Sequence, residues 1–99
     1  MISFLSGEIR NIFTEKSILE MDIAGVGYEV VLPSFVMDDV VNGGKKNGEN
    51  ITLEIYYHST ERSPKPLLVG FNNQIEKIFF EKIIQVEGVG PLKAVSALI

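Results

Sequence analysis

The sequence predicts a mainly β chain of the α+β class, in which five short strands precede helix. Within residues 1–71, five segments either alternate apolar and polar residues or run apolar, as half-buried and buried strands do. From Asn72 onwards the apolar residues recur at helical spacing instead. Because the strands come first and the helices follow, the order argues against alternating βαβ units.

The five candidate strands are separated by turn and loop residues. In chain order they read "ISFLSGEIRNIF", "SILEMDI", "YEVVL", "ITLEIYYH" and "LLVGF". Gly7 in the first suits a bend or bulge. Gly25-Val26-Gly27, before the third, suits a tight hairpin, because glycine reaches positive φ without a steric penalty. In the fourth, alternation places Tyr57 inside and leaves Tyr56 and His58 on the outer face.

Two longer segments connect the later strands. The first, "PSFVMDDVVNGGKKNGEN", should begin with a short helical turn and end as a polar, glycine-rich loop. In it, Asp38-Asp39 is expected in a solvated turn, and Lys45-Lys46 is either a weak phosphate contact or simply a soluble loop. The second, "HSTERSPKP", is a charged loop stiffened by two prolines. Five strands with glycine bends and a helical turn before the fourth suit a Greek-key barrel of the OB type.

Two helices are predicted after the last strand. The first is marked by apolar residues at helical spacing: Ile75, Ile78, Phe79, Ile83 and Val86. Asn73, with Glu76 three residues later, resembles a capping box, and Gly88 should end this helix. Pro91 suits the first position of a second helix. The chain stops inside that helix, so we expect a longer gene product. Phe79, Phe80, Ile83 and Ile84 are expected mostly at core or domain-packing positions, although a minority of them could face a neighbouring subunit.

The glycine pair between the two helices, in "VEGVGPLK", allows two interpretations that the residues leave open. In one, Gly88 stops the first helix and Gly90 caps the second. In the other, the segment is a helix-hairpin-helix DNA-binding element. Its glycines let the backbone approach a phosphate, so that the amides of Gly88, Val89 and Gly90 and the start of the next helix hold the anion. Lys93, in the first turn, would then add a positive charge.

The composition argues against several classes of protein. A net charge of −4 is unlike a protein whose whole surface grips nucleic acid, although a local basic patch could still do so. The absence of cysteine fits a reducing cytoplasm. With His58 as the single histidine, a multi-histidine metal site is impossible. Neither glycine pair has the third glycine of a dinucleotide motif, since Val30 and Lys93 stand there. We therefore expect no cofactor and no enzyme.

Four stretches of the chain resemble the N-terminal part of the RuvA family, bacterial proteins that bind Holliday junctions. They are "MISFLSGEI", "GVGYEV", "LLVGFNNQIEKIFFEKII" and "VEGVGP" followed by "KAVSALI", in the family's order and spacing across nearly all 99 residues. The resemblance implies an OB-fold domain over residues 1–71 and the first of two helix-hairpin-helix elements over residues 72–99. A second hairpin and a small C-terminal domain would lie beyond Ile99.

The resemblance also implies a DNA-binding role without catalysis. RuvA-like proteins form a four-fold tetramer that holds a junction open while a RuvB-type ATPase pumps the DNA. Carried over, Gly88, Val89 and Gly90 would offer amides to phosphate with Lys93 beside them, so that backbone and shape rather than bases are recognised. The implied partners are four-way junction DNA, a RuvB-like ATPase bound through a part absent here, and further copies in a homotetramer. No membrane is expected.

Two positions depart from the family's pattern. The family has a lysine directly after "GVGP", but here Leu92 occupies that position. Lys93 comes one residue later, which on a helix is a rotation of about 100°. The family also carries an adjacent Glu-Asp pair, a negative pin at the crossover, whose places are taken here by Ser63 and Pro64. Arg62 matches the arginine before the pin, and Glu61 is the nearest acid. For this segment we favour a solvated loop over a working pin.

Two other hypotheses remain open. A divergent relative could keep the fold but serve as an assembly protein, which the acidic balance and the missing pin would favour. A generic OB-fold binder of single strands would instead depend on Tyr56 and the barrel face. Preference for a junction over a duplex would separate the junction-binding hypothesis from that of an assembly protein. Comparing substitutions at Tyr56 with substitutions at Gly88 and Gly90 would separate it from that of a single-strand binder.

Overall fold

Five β-strands close into a barrel in the part of the chain that the structure, a computed structural model, describes: residues 1–59 and 65–87. The strands are β1 (Phe4–Phe13), β2 (Ile18–Ile23), β3 (Val26–Val31), β4 (Asn50–His58) and β5 (Leu67–Phe71). Helix α1 (Ser34–Asn42) lies between β3 and β4, and helix α2 (Gln74–Glu87) follows β5. All five predicted strands are thus confirmed, and so is the helix predicted after the fifth strand.

The pairing of the strands is that of an OB-type barrel. Around the barrel the order is β1-β2-β3-β5-β4, and β1 pairs with both β2 and β4 in antiparallel register. The barrel closes where β3 runs parallel to β5, with Val31 opposite Val69. This arrangement confirms the predicted fold class, a mainly β barrel followed by the start of a helical part.

The core follows from the alternation of the strands. Leu19 and Met21 in β2, and Leu53 and Ile55 in β4, are almost fully buried, because residues two apart on a strand face the same side. Helix α1 covers the barrel with three further apolar side chains, Val36, Met37 and Val40. The described part of the chain has no buried polar or charged side chain. The barrel is therefore a conventional apolar core rather than a polar cavity.

The β2–β3 hairpin turns one residue earlier than predicted. Its two central residues are Ala24 and Gly25, with φ of 53° and 84°, and Ile23 pairs with Val26. Positive φ at both positions matches the right-handed twist of the strands. The Asp22 side chain stabilises the turn by accepting a 2.9 Å hydrogen bond from the Gly25 amide. Gly27, expected in the turn, lies in β3.

The prediction that Gly7 marks a bend or a bulge in β1 is wrong. The irregularity in the β1–β2 register falls later, between Ile9 and Asn11. Gly7 instead lies close to the backbone of β2: a Cβ there would stand 2.7 Å from the Asp22 carbonyl oxygen. The backbone of Ile9 bonds to Gly48 and Glu49, so the end of the glycine-rich loop extends the β1–β4 ladder.

Candidate nucleic-acid interface

The predicted DNA-contacting residues lie outside the described part of the chain. They are Gly88, Val89, Gly90 and Lys93 in the expected hairpin. Glu61, Arg62, Ser63 and Pro64, which stand at and beside the places of the family's pin and for which we expect a solvated loop, lie outside the described residues as well. The structure does describe the elements that lead to both segments. β4 ends at His58 and β5 begins at Leu67 on either side of residues 60–64, and α2 ends at Glu87 directly before Gly88.

Helix α2 begins with the capping residues that the sequence predicts. The Asn73 side-chain oxygen accepts a 3.0 Å hydrogen bond from the amide of Glu76. In a capping box, the carboxylate three residues later accepts a hydrogen bond from the amide of the cap residue itself. Here the Glu76 carboxylate instead accepts a 2.9 Å hydrogen bond from the amide of Asn72, one residue before the cap. The first bond satisfies an amide that the first turn of a helix leaves without a partner, and the second holds the chain that enters the helix.

Asn72 also ties the start of α2 to helix α1. Its side-chain amide donates a 2.8 Å hydrogen bond to the carboxylate of Asp39 and a 3.3 Å bond to that of Glu76. The expectation that Asp38-Asp39 forms a solvated turn is therefore wrong. Both residues lie in α1, and although exposed, Asp39 makes a contact with a residue 33 positions away. No local pattern predicts such a pair.

The middle of α2 is anchored in the barrel by one aromatic side chain. Phe80 is fully buried, and its ring centroid lies 5.3 Å from that of Tyr56 in β4 and 5.1 Å from that of Phe71 in β5. Ile84, one turn later, is partly buried against the same core. Phe79, for which the sequence leaves both the core and a neighbouring subunit open, is 60% exposed and is not part of this core. Successive helical residues point about 100° apart, so only one of the two phenylalanines can face the barrel.

Tyr56 is not the free outer-face aromatic that alternation predicts. Phe80 contacts it edge-on, and it is half-buried, while His58 stacks beside it at 6.2 Å between centroids. Burial, followed by the nearby Glu81 carboxylate, raises the pKa of Tyr56, because both disfavour the phenolate. A ring covered in this way offers little surface for a stacked base, which weakens the single-strand-binding hypothesis.

Charge is unevenly divided along the chain. Residues 1–59 carry four Lys or Arg and nine Asp or Glu. Residues 60–99 carry five Lys or Arg and four Asp or Glu. The net negative charge therefore belongs to the larger part of the barrel, and the part that contains the predicted DNA-contacting hairpin is close to neutral. In the glycine-rich loop, Lys45 donates a 3.0 Å bond to the Asn50 carbonyl, which agrees with an ordinary loop role for Lys45-Lys46.

The described residues show neither a metal cluster nor a membrane span. Across residues 1–59 and 65–87, no three histidine or acidic side chains come together as a metal site would require. No helix there is long and apolar enough to cross a membrane. Sequence reasoning missed Asn72 as the residue that joins α2 to α1, and only its place before Asn73 and Glu76 hints at a helix start. It did place Phe80 among the packing residues, which the structure confirms.

Comparison with known proteins identifies the family. The model of the RuvA N-terminal domain matches residues 1–65. Proteins named Holliday junction branch migration complex subunit RuvA are similar over nearly the whole chain. The one from Desulfatibacillum aliphaticivorans is 46% identical over 98 residues, covering 99% of this chain and 46% of that protein. The one from Desulforapulum autotrophicum is 44% identical over 98 residues, covering 99% and 44%. The chain thus spans about half the length of the curated relatives it matches, and it belongs to the RuvA N-terminal domain family.

Proposed function

We propose that this chain is the junction-binding N-terminal part of a branch-migration complex, in which it contacts four-way junction DNA without catalysing a reaction. The observation that carries the proposal is similarity over 99% of the chain to proteins named as the RuvA subunit of such a complex. The OB-type barrel and the capped helix leading to the Gly88-Val89-Gly90 tripeptide support it.

The proposed binding chemistry relies on backbone amides more than on charge. Gly88, Val89 and Gly90 would bring amide groups to one phosphate, and Lys93 would add one cation. Phosphate contacts of this kind fix the protein on the DNA without reading the bases. An overall acidic chain is compatible with this chemistry, because its acidic excess lies in residues 1–59. The loop with Ser63 and Pro64 would lie near the crossover but lack the negative pair that repels phosphate.

The assembly we propose follows the family resemblance. The chain would act within a longer protein that forms a homotetramer in the cytoplasm and binds a RuvB-like ATPase through a C-terminal part. ATP hydrolysis would belong to that partner, and this chain would need no cofactor. Residues 1–71 would form the barrel domain and residues 72–99 the first DNA-contacting hairpin. The burial of Phe80 suggests that the first helix of the hairpin is packed on the barrel rather than independent of it.

Fluorescence anisotropy tests the proposal. The full-length protein is titrated against a labelled four-way junction and against a linear duplex of the same length, each at two salt concentrations. We expect salt-sensitive binding that favours the junction at least tenfold. Equal, weak binding to both DNAs would contradict the proposal and favour an assembly role.

A lysine pair adds a matched control to this titration. Lys93→Ala should weaken junction binding and reduce the slope of log affinity against log salt by about one, because one phosphate is no longer neutralised. Lys16→Ala removes the same charge from the barrel, where the Lys16 ammonium lies over the Phe13 ring, 5.7 Å from its centroid. That variant should bind the junction as the unmodified protein does. If both variants lose the same affinity, charge in general rather than the hairpin holds the DNA.

A further inference from the structure

We propose that Phe80 is a positioning residue: it fixes the direction of α2 relative to the barrel, and thereby the placement of the junction-binding segment that follows. This inference rests on the proposed function and deepens it. Phe80 is not one of the predicted DNA-contacting residues. It acts through the elements that lead to them.

Phe80 stands where three elements meet. It is the one fully buried residue among the described side chains of α2, and it contacts Tyr56 of β4 and Phe71 of β5. Those two strands flank residues 60–64, and α2 leads to residue 88. One ring therefore joins α2, which leads to the predicted DNA-contacting hairpin, to the two strands on either side of residues 60–64. A ring enclosed on two sides by other rings can hold the middle of a helix against the barrel.

The start of α2 is held separately. Asn72 joins it to Asp39 of α1, and Glu76 closes the first turn back onto Asn72. These bonds are exposed, so water competes for each of them and each contributes little. They hold one point of the helix. A rod held at one point can still pivot, and the buried contact at Phe80 supplies the second point that defines a direction.

The length of α2 makes this direction important. From Gln74 to Glu87 the helix extends by about 20 Å, at the usual rise per residue. If the helix is held only at its start, a pivot of roughly 15° would move the end of α2 by about 5 Å, calculated from the same rise per residue. A hydrogen bond to phosphate fails over a much smaller displacement, since functional groups must be held within about 0.5 Å. Loosening the helix should therefore weaken binding even when every DNA-contacting residue is intact.

Spin-label distances test the positioning directly, without DNA. The chain has no cysteine, so Glu29→Cys in β3 and Lys82→Cys in α2, both exposed, provide one clean label pair in the 99-residue protein. Phe80→Leu removes the aromatic contacts but keeps an apolar side chain. Phe79→Leu is the matched control, because the same change is made one residue away at a side chain that is 60% exposed.

We expect a broader or shifted distance distribution, by several ångströms, for Phe80→Leu and none for Phe79→Leu. An unchanged distribution for Phe80→Leu would overturn the inference, whatever DNA binding shows. Ile9→Val, a core change in β1 outside the aromatic cluster, separates loss of stability from loss of direction. It should lower the unfolding midpoint without altering the distances. If it altered them as Phe80→Leu does, the role of Phe80 would be merely structural.

Junction affinity of the full-length protein completes the test. Phe80→Leu should lower junction affinity at least tenfold, whereas Ile9→Val should lower it less than twofold. Unchanged affinity together with changed distances would also overturn the inference, because the direction of α2 would then not matter. Failure of the unmodified protein to prefer the junction would instead contradict the proposed function, and the distance measurement would still decide whether Phe80 sets the direction of α2.

Discussion

Replacing Gly7 by alanine tests how closely β2 approaches β1. An ideal Cβ at Gly7 would lie 2.7 Å from the carbonyl oxygen of Asp22 and 2.6 Å from Cγ1 of Ile23, closer than the 3.0 Å that real Cβ atoms respect. The Ile23 side chain could rotate away. The Asp22 oxygen cannot, because it belongs to the backbone of β2, which is paired with β1 through Glu8 and Asp22. The strands must part for alanine to fit.

The expected cost follows from that geometry. Overpacking of a tightly packed site costs typically about 1–3 kcal/mol. We expect the upper part of that range, about 2–3 kcal/mol, because backbone obstructs backbone and the ladder must distort. In a domain of this size a change of about 1 kcal/mol shifts the Tm by about 4–8 °C, so Gly7→Ala should lower the Tm by roughly 8–24 °C. Urea unfolding followed by far-ultraviolet circular dichroism measures the free energy, and a thermal scan measures the Tm.

Gly27→Ala provides the matched control. Gly27 is also a strand glycine, its φ is not positive, and an added Cβ would meet nothing within 4 Å. Alanine there should be neutral or stabilise the protein by about 0.4–1 kcal/mol, because it restricts the unfolded chain. The two variants should therefore differ by more than about 2 kcal/mol in the free energy of unfolding. If they agree within about 0.5 kcal/mol, β2 does not approach β1 as closely as the structure places it, and the explanation for Gly7 is refuted.

Two further predictions concern the region around α2. Asn73→Ala should destabilise the protein by about 1 kcal/mol, because it removes the side-chain oxygen that caps α2. Asn73→Asp keeps such an oxygen and should retain the stability. Equal urea midpoints for the two variants would contradict the capping role. Because the pKa of Tyr56 is raised in the folded state, that state holds the phenolic proton more tightly, and stability should fall as the pH rises above about 10. Tyr56→Phe should reduce this loss between about pH 8 and pH 11, and parallel urea midpoints for the two proteins would argue against a raised pKa of Tyr56.

The strands could be predicted from the sequence because their signal is local. Leu19 and Met21 alternate with charged residues, and the structure buries both. The placement of α2 could not be predicted in the same way. Phe79 and Phe80 are adjacent and identical in type, and which one is buried depends on the space between Tyr56 and Phe71, which lie on two different strands. The predicted DNA contacts of Gly88, Val89, Gly90 and Lys93 depend on a glycine motif and on family membership, since these residues lie outside the described part of the chain.

The acidic barrel gives the placement of α2 added importance under the proposed function. Binding of DNA without regard to its shape is driven mainly by cations that neutralise phosphates. Residues 1–59 carry more than twice as many acids as bases, so this part of the protein should repel a duplex that approaches at random. Under the proposed function, the specific attraction would come from a few hairpin amides and Lys93, which act only when they meet phosphates at the correct distance and angle. A protein with little general attraction must obtain its affinity from geometry, and our inference assigns the control of that geometry to Phe80, which is buried against Tyr56 of β4 and Phe71 of β5.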